Sequence, residues 1–138
     1  MFWFVASAYS SWTEYEDVRY LDLDGDLTDE IIIESKHGAG IGHYIEEMRI
    51  FKDEYPHLRL IFEIRTLDEY SLELPYCYAT VSEVKFTEQT LENKGVREII
   101  VKPRKIYYKD CKNKVVDKEE KLETKEFKWD GKNFIGRK

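Results

Sequence analysis

The segment Asp22-Leu23-Asp24-Gly25-Asp26-Leu27-Thr28-Asp29-Glu30 runs straight into Ile31-Ile32-Ile33. This junction constrains the fold more than any other stretch of the chain. Closely spaced carboxylates repel one another and favour a turn. Consecutive β-branched residues favour an extended, packed strand. The segment therefore reads as a tight acidic loop that enters a β-strand.

Strand signals continue downstream. Leu58, Leu60, Phe62 and Ile64 alternate at period two, which places them on one face of a strand. The stretch His43 to Glu54 is ambiguous. Tyr44, Met48 and Phe51 fit a helix face, and Tyr44, Met48 and Ile50 fit a strand face. The glycine-rich Gly38-Ala39-Gly40-Ile41-Gly42 before it and Tyr55-Pro56 after it are turn signals. Consecutive antiparallel strands at about 29–36, 43–53 and 58–66 follow. Thr66 to Pro75 reads as a connecting loop. Cys77 to Glu88 and Glu98 to Tyr108 read as further strands, the second bent near Pro103, because proline removes a ladder donor. Glu123 to Trp129 and Asn133 to Arg137 flank Asp130-Gly131, which predicts a hairpin with a type I′ turn.

The chain has 138 residues, enough for one domain with a real core. Its aromatic content of 14% includes ten tyrosines and leans toward β-structure. The net charge of −6 argues against nucleic acid, whose phosphates need a basic footprint. The last third is lysine-rich, with glutamates interleaved, and reads as the solvated face of a ribbon. No apolar run approaches the roughly 20 residues of a membrane span. The start, Met1 to Ala8, reads as a first strand or as the remnant of a signal peptide. Cys77 and Cys111 form a disulfide if the domain is exported, or two buried thiols if it is not. No Cys-x-x-Cys is present and His37, His43 and His57 are scattered, so a zinc site is not expected.

Asp22, Asp24 and Asp26 alternate around the turn. Carboxylates at positions 1, 3 and 5 of a curling backbone converge on one point, where a hard, oxygen-seeking cation sits. Thr28 would add its backbone carbonyl and Glu30 a further carboxylate. Gly25 relaxes the turn. An EF-hand needs an acid at position 12, which is Ile33, and flanking helices, so that reading is rejected. Calcium is preferred to magnesium, which keeps more water and demands octahedral geometry. The competing reading is a solvent-exposed Asp-rich turn without metal.

An internal similarity accompanies the loop. Thr90 to Val101 aligns without gaps to Asp22 to Ile33, with Leu91, Glu98, Ile99 and Ile100 repeating Leu23, Glu30, Ile31 and Ile32. Val84-Lys85-Phe86 echoes Val18-Arg19-Tyr20 upstream. Each half reads as strand, polar loop, Glu-Ile-Ile strand.

The segment Val18 to Ile33 resembles the FG-GAP/VCBS type of repeat, in which Asp-x-Asp/Asn-Gly-Asp-Gly-x-x-Asp/Glu precedes an apolar strand of a β-propeller blade. The resemblance implies calcium at Asp22, Asp24, Asp26, Thr28 and Glu30. Leu27 stands where the family has glycine, at a position favouring a left-handed backbone, so strain is expected there. The second loop keeps Gly95 and retains Glu92 and Glu98 but otherwise loses the acids to Thr90, Asn93 and Lys94, and no metal is expected in it. A propeller has about 4–8 blades, and this chain offers about two. The expected fold is all-β and antiparallel: one domain of two blade-like sheets, an incomplete or pseudo β-propeller with room for a minor helix. The units would cover about residues 12–68 and 76–138. Phe127 to Phe134 resembles the closing hairpin of such bacterial modules, and the layout is similar to small pseudo-propeller envelope proteins.

The expected function is a non-catalytic, calcium-binding module of the bacterial cell envelope that binds a protein partner. The expected compartment is periplasmic, lipid-anchored or secreted, with a cytoplasmic location left open. A sharper version is an inhibitor or immunity protein against a cell-wall hydrolase. A rival reading is a hydrolase using His37 or His43 with Glu46 or Glu47 as an acid–base pair. Another is a fragment of a larger propeller, which would leave unpaired edge strands.

Overall fold

The computed structural model describes residues 13–38, 42–70 and 77–136, and these form one antiparallel sheet of nine strands with no helix among them. The strands are β1 (Thr13–Leu21), β2 (Glu30–Gly38), β3 (His43–Glu54), β4 (His57–Tyr70), β5 (Cys77–Phe86), β6 (Ile99–Asp110), β7 (Val115–Lys121), β8 (Lys125–Trp129) and β9 (Phe134–Gly136). They pair in the order β1-β2-β3-β4-β5-β6-β8-β9, with β7 also on β6. The sheet does not close on itself, and the expected division into two blade-like sheets is replaced by this single ladder. The expected first strand at residues 1–8 lies outside the described residues.

The ambiguous stretch 43–54 is a strand because it is the middle of a ladder. It pairs along β2 on one side and β4 on the other, with Ile50 between Ile32 and Phe62. Those two ladders satisfy its backbone donors and acceptors as a helix would, and they also bury Ile45, Met48, Ile50 and Phe51. The connection expected at 66–75 is partly strand: β4 runs on to Tyr70. β4 pairs β3 along its whole length, with a register shift at Glu46 and Glu47, and from Leu67 to Tyr70 it also pairs β5 on its other side. The fully exposed β7 has no apolar periodicity and was legible only as a charged ribbon.

The main core joins Ile32, Met48, Ile50, Ile61 and Phe62 to Leu23, Ile99, Val101 and Phe134. Strands β2–β4 and β6–β9 are far apart in the ladder, so the sheet must curl to bring these residues together. Phe62 is the contact point, with ring centroids 5.0 Å from Phe127 and 6.4 Å from Phe134, both edge-on. Arg59 locks the curl from outside, donating from Nη1 to the Lys132 carbonyl (2.7 Å) and to Asn133 Oδ1 (2.9 Å). Ile31, Ile33 and Phe51 form a second, smaller cluster with Val18 and Leu58.

The β8–β9 hairpin is present, but its turn is not type I′. Trp129 pairs with Phe134, leaving a four-residue connection in which Gly131 (φ +97°) has positive φ and Asp130 does not. Asp130 Oδ1 instead accepts from the N–H groups of Lys132 (2.8 Å) and Asn133 (2.7 Å). These two bonds hold its carboxyl below the usual carboxylate range.

Cys77 at the start of β5 and Cys111 just after β6 form a disulfide that closes a loop of sequence separation 34. Cross-links of this span restrict the unfolded chain and stabilise by about 2–4 kcal/mol. The Cys77→Ser, Cys111→Ser double variant should therefore lose about that much in urea denaturation. An unchanged midpoint would show that the bridge adds nothing to stability.

Candidate metal centre

The loop between β1 and β2 is organised from inside by Glu30, the first residue of β2, which is completely buried. Its Oε1 accepts hydrogen bonds from the backbone N–H of Leu23 (2.7 Å) and Asp24 (3.1 Å). Its Oε2 is buried and has no partner. Burial is the main reason its pKa rises from the ordinary 4.5 to about 7. The two N–H bonds oppose that rise and the charge of Asp24 adds to it.

The aspartates fold the outer part of the loop. Asp22 Oδ1 accepts from the Gly25 N–H (3.0 Å) and its Oδ2 from the Leu27 N–H (3.0 Å). Asp24 Oδ1 accepts from the Asp26 N–H (3.2 Å), and Asp26 Oδ1 from the Thr28 N–H (2.8 Å). One carboxylate oxygen from each of Asp22, Asp24, Asp26 and Glu30 falls within 4.8 Å of the others, a cluster that could hold a metal ion. Thr28 lies at the exposed rim.

Three residues that sequence reasoning missed complete the site. Lys52 of β3 reaches in, and its ammonium donates to Asp24 Oδ2 and to Asp26 Oδ2 (2.7 Å). Burial alone would lower the pKa of Lys52, but the two aspartates outweigh it and raise it. Burial alone would raise that of Asp26, and the bonds from Lys52 and the Thr28 N–H lower it instead. Arg97 donates its backbone N–H to the Leu23 carbonyl (2.8 Å) and its Nε to the Asp22 carbonyl (3.1 Å). Gln89 Nε2 donates to the Asp22 carbonyl (3.2 Å) and to Asp22 Oδ2 (3.3 Å). A signal for Lys52 did exist. Extending by one step the register that pairs Ile31 with Phe51 puts Lys52 opposite Glu30.

The two similar loops thus pack on each other. Their aligned residues Leu27 (φ +67°) and Gly95 (φ +79°) both have a left-handed backbone. Other aligned positions differ: Leu23 is fully buried in the core, whereas Leu91 is fully exposed. Gly25 (φ +80°) marks the close approach, since a Cβ there would stand 2.7 Å from the Lys94 carbonyl oxygen.

The histidines are placed elsewhere. His37 Nε2 lies 3.0 Å from Glu47 Oε1, and Glu47 also meets Arg49 at 3.2 Å. His43 faces Asp68 rather than Glu46 or Glu47, and Glu46 pairs with Lys36 at 2.9 Å.

Comparison of the chain with protein-family models, with curated proteins and with solved structures finds no match.

Two predictions concern the loop itself. Leu27 is 94% exposed and left-handed, so Leu27→Gly removes strain without losing packing and should raise stability by about 1 kcal/mol. Gly25→Ala meets the Lys94 carbonyl and should lower it by about 2 kcal/mol or more, both effects being read from urea midpoints. The third concerns pH. Glu30 binds its proton more tightly folded than unfolded, so its contribution to stability is full below about 4.5 and is lost as pH rises through about 7. Metal-free protein should therefore show a falling stability over that window, and Glu30→Gln should flatten the slope. An identical slope in the variant would assign the pH dependence to other groups.

Proposed function

We propose that this protein is a non-catalytic module of the cell envelope that binds calcium in the 22–30 loop and a protein partner on its sheet. The metal reading rests on one observation above all: a completely buried carboxylate oxygen, Glu30 Oε2, has no partner and belongs to a cluster of four carboxylates. Native proteins rarely leave such an atom unsatisfied. Asp22, Asp24, Asp26 and Glu30 would hold the ion, with the Thr28 carbonyl at the rim. An all-oxygen, mostly anionic donor set suits a hard divalent cation, and the irregular geometry of a loop suits calcium better than magnesium.

Support for a partner comes from the opposite part of the sheet. His43, Tyr70, Tyr78, Tyr107 and Lys118 stand in one cross-strand row over β3 to β7. His43 stacks on Tyr70 at 4.1 Å, Tyr70 lies 5.1 Å from Tyr78, and Lys105 sits over both Tyr78 (4.3 Å) and Tyr107 (5.1 Å). Rigid half-buried tyrosines flanked by cations are a common composition for protein-binding surfaces. The Cys77–Cys111 bridge agrees with an oxidising compartment such as the periplasm or the cell exterior. The incomplete-propeller reading, in which β1–β4 and β5–β9 descend from two blade-like units, remains part of this proposal and rests on the aligned loops.

The test is thermal melting of chelator-treated protein against a calcium series. A ligand that binds only the native state raises stability by mass action, by about 2.7 kcal/mol at a hundredfold excess over Kd. Calcium should raise the melting temperature of the wild type, magnesium should do so less, and Asp22→Asn should abolish the shift. Absence of any shift at millimolar calcium in wild-type protein would overturn the metal reading.

A further inference from the structure

The cation position is contested from within the chain. Lys52 Nζ is bound to Asp24 Oδ2 and Asp26 Oδ2, on two of the four carboxylates that a metal would use. The contact is well shielded: the Asp24 side chain is 5% exposed and that of Lys52 21%. Yet the lysine does not complete the site. An ammonium brings one positive charge and three donors to a cluster of four carboxylates, and Glu30 Oε2 stays buried without a partner. A cation seated among all four groups would bring charge to the Glu30 carboxylate, which the lysine does not bind.

We propose that Lys52 is a built-in competitor for this cation site, so that calcium enters only by displacing the lysine from Asp24 and Asp26. The proposal rests on the reading of loop 22–30 as a cation site. Two features favour exchange over permanent occupation. The charge of Lys52 sits on a long flexible stem. Its ammonium is also already 5.8 Å from the ring centroid of Trp129 on β8, so a second favourable position for the charge lies beside the first. Lys52 then sets the affinity and the selectivity of the loop. Only a cation that gains more from the four carboxylates than the tethered ammonium does is admitted. In its absence the lysine keeps the loop folded.

Calorimetric titration of calcium into wild type, Lys52→Gln and Lys52→Arg tests this. Removing the charged competitor should tighten the dissociation constant by about ten- to hundredfold in Lys52→Gln. Lys52→Arg should stay within about threefold of wild type, because the charge returns. Binding by both forms, at least tenfold tighter in Lys52→Gln, would support the proposal. Equal or weaker binding by Lys52→Gln than by wild type would overturn it while leaving the cation site intact. No binding by any folded form, judged by circular dichroism, would overturn the cation-site reading itself. A second measurement needs no variant. Acylation of Lys52, followed by mass spectrometry, should speed up severalfold when calcium saturates wild-type protein. Unchanged labelling of Lys52 at saturating calcium would also overturn the displacement.

Discussion

The buried carboxylate of Glu30 is the constraint on which this structure turns. It opens β2, and from there its Oε1 gathers the N–H groups of Leu23 and Asp24. Those bonds hold the backbone of the loop against the end of the sheet and place Leu23 in the main core. The Leu23 carbonyl then receives the N–H of Arg97, which brings the second polar loop onto the first. One side chain thereby links the β1–β2 turn, the core and the β5–β6 turn. The sheet curls partly because these two loops must meet.

Burying that carboxylate creates an electrostatic problem that the surrounding groups resolve only in part. Three aspartates lie around it, and like charges at such distances disfavour ionisation of at least one member. Glu30, the least hydrated, is the one whose pKa climbs. Lys52 relieves the outer pair, Asp24 and Asp26, and leaves the inner oxygen alone. The asymmetry matters physically. Asp22 accepts from loop N–H groups on both oxygens, Asp24 and Asp26 on one each, and the second oxygen of each of these two goes to Lys52. A tethered monovalent charge serves these two aspartates, and the buried Oε2 of Glu30 stays unserved.

Much of the fold was legible because period-two patterning reports a face without needing tertiary information. Leu58 to Ile64 and the Ile31–Ile33 run are strands, but the single face expected for Leu58, Leu60, Phe62 and Ile64 is broken: a register shift opposite Leu60 and Phe62 buries Ile61 beside Phe62 and leaves Leu60 exposed. The stretch 43–54 was ambiguous because a row of apolar residues spaced three and four apart also contains pairs spaced two apart. Only its two neighbours in the ladder decide it. Thr66 to Tyr70 looked like a loop because a register shift breaks its alternation. The Asp130-Gly131 turn was misjudged because the Asp130 side chain competes with the I′ geometry by capping two N–H groups of its own. The division into two sheets failed for a related reason. Local similarity between loops says nothing about whether β4 and β5 pair, and they do.

The acidic half of the site was legible for the same local reason: Asp22, Asp24, Asp26 and Glu30 are neighbours in sequence. Its basic half was not, because Lys52 and Arg97 arrive from strands and turns far along the chain. Pairing β2 with β3 about the glycine turn would have brought Lys52 to Glu30, so the missing step was a register. Residues that neutralise a charged loop come from the elements the fold sets beside it. A motif reader who sees only the loop counts four carboxylates and supplies an external cation. With the register in hand, one of the positive charges turns out to be covalently attached. What distinguishes a tethered charge from a free ion is the number of donors each can reach. By that criterion the unpartnered oxygen of Glu30 carries more information than the aspartates do, since three of the four acidic residues would look much the same in a loop that only ever held its lysine.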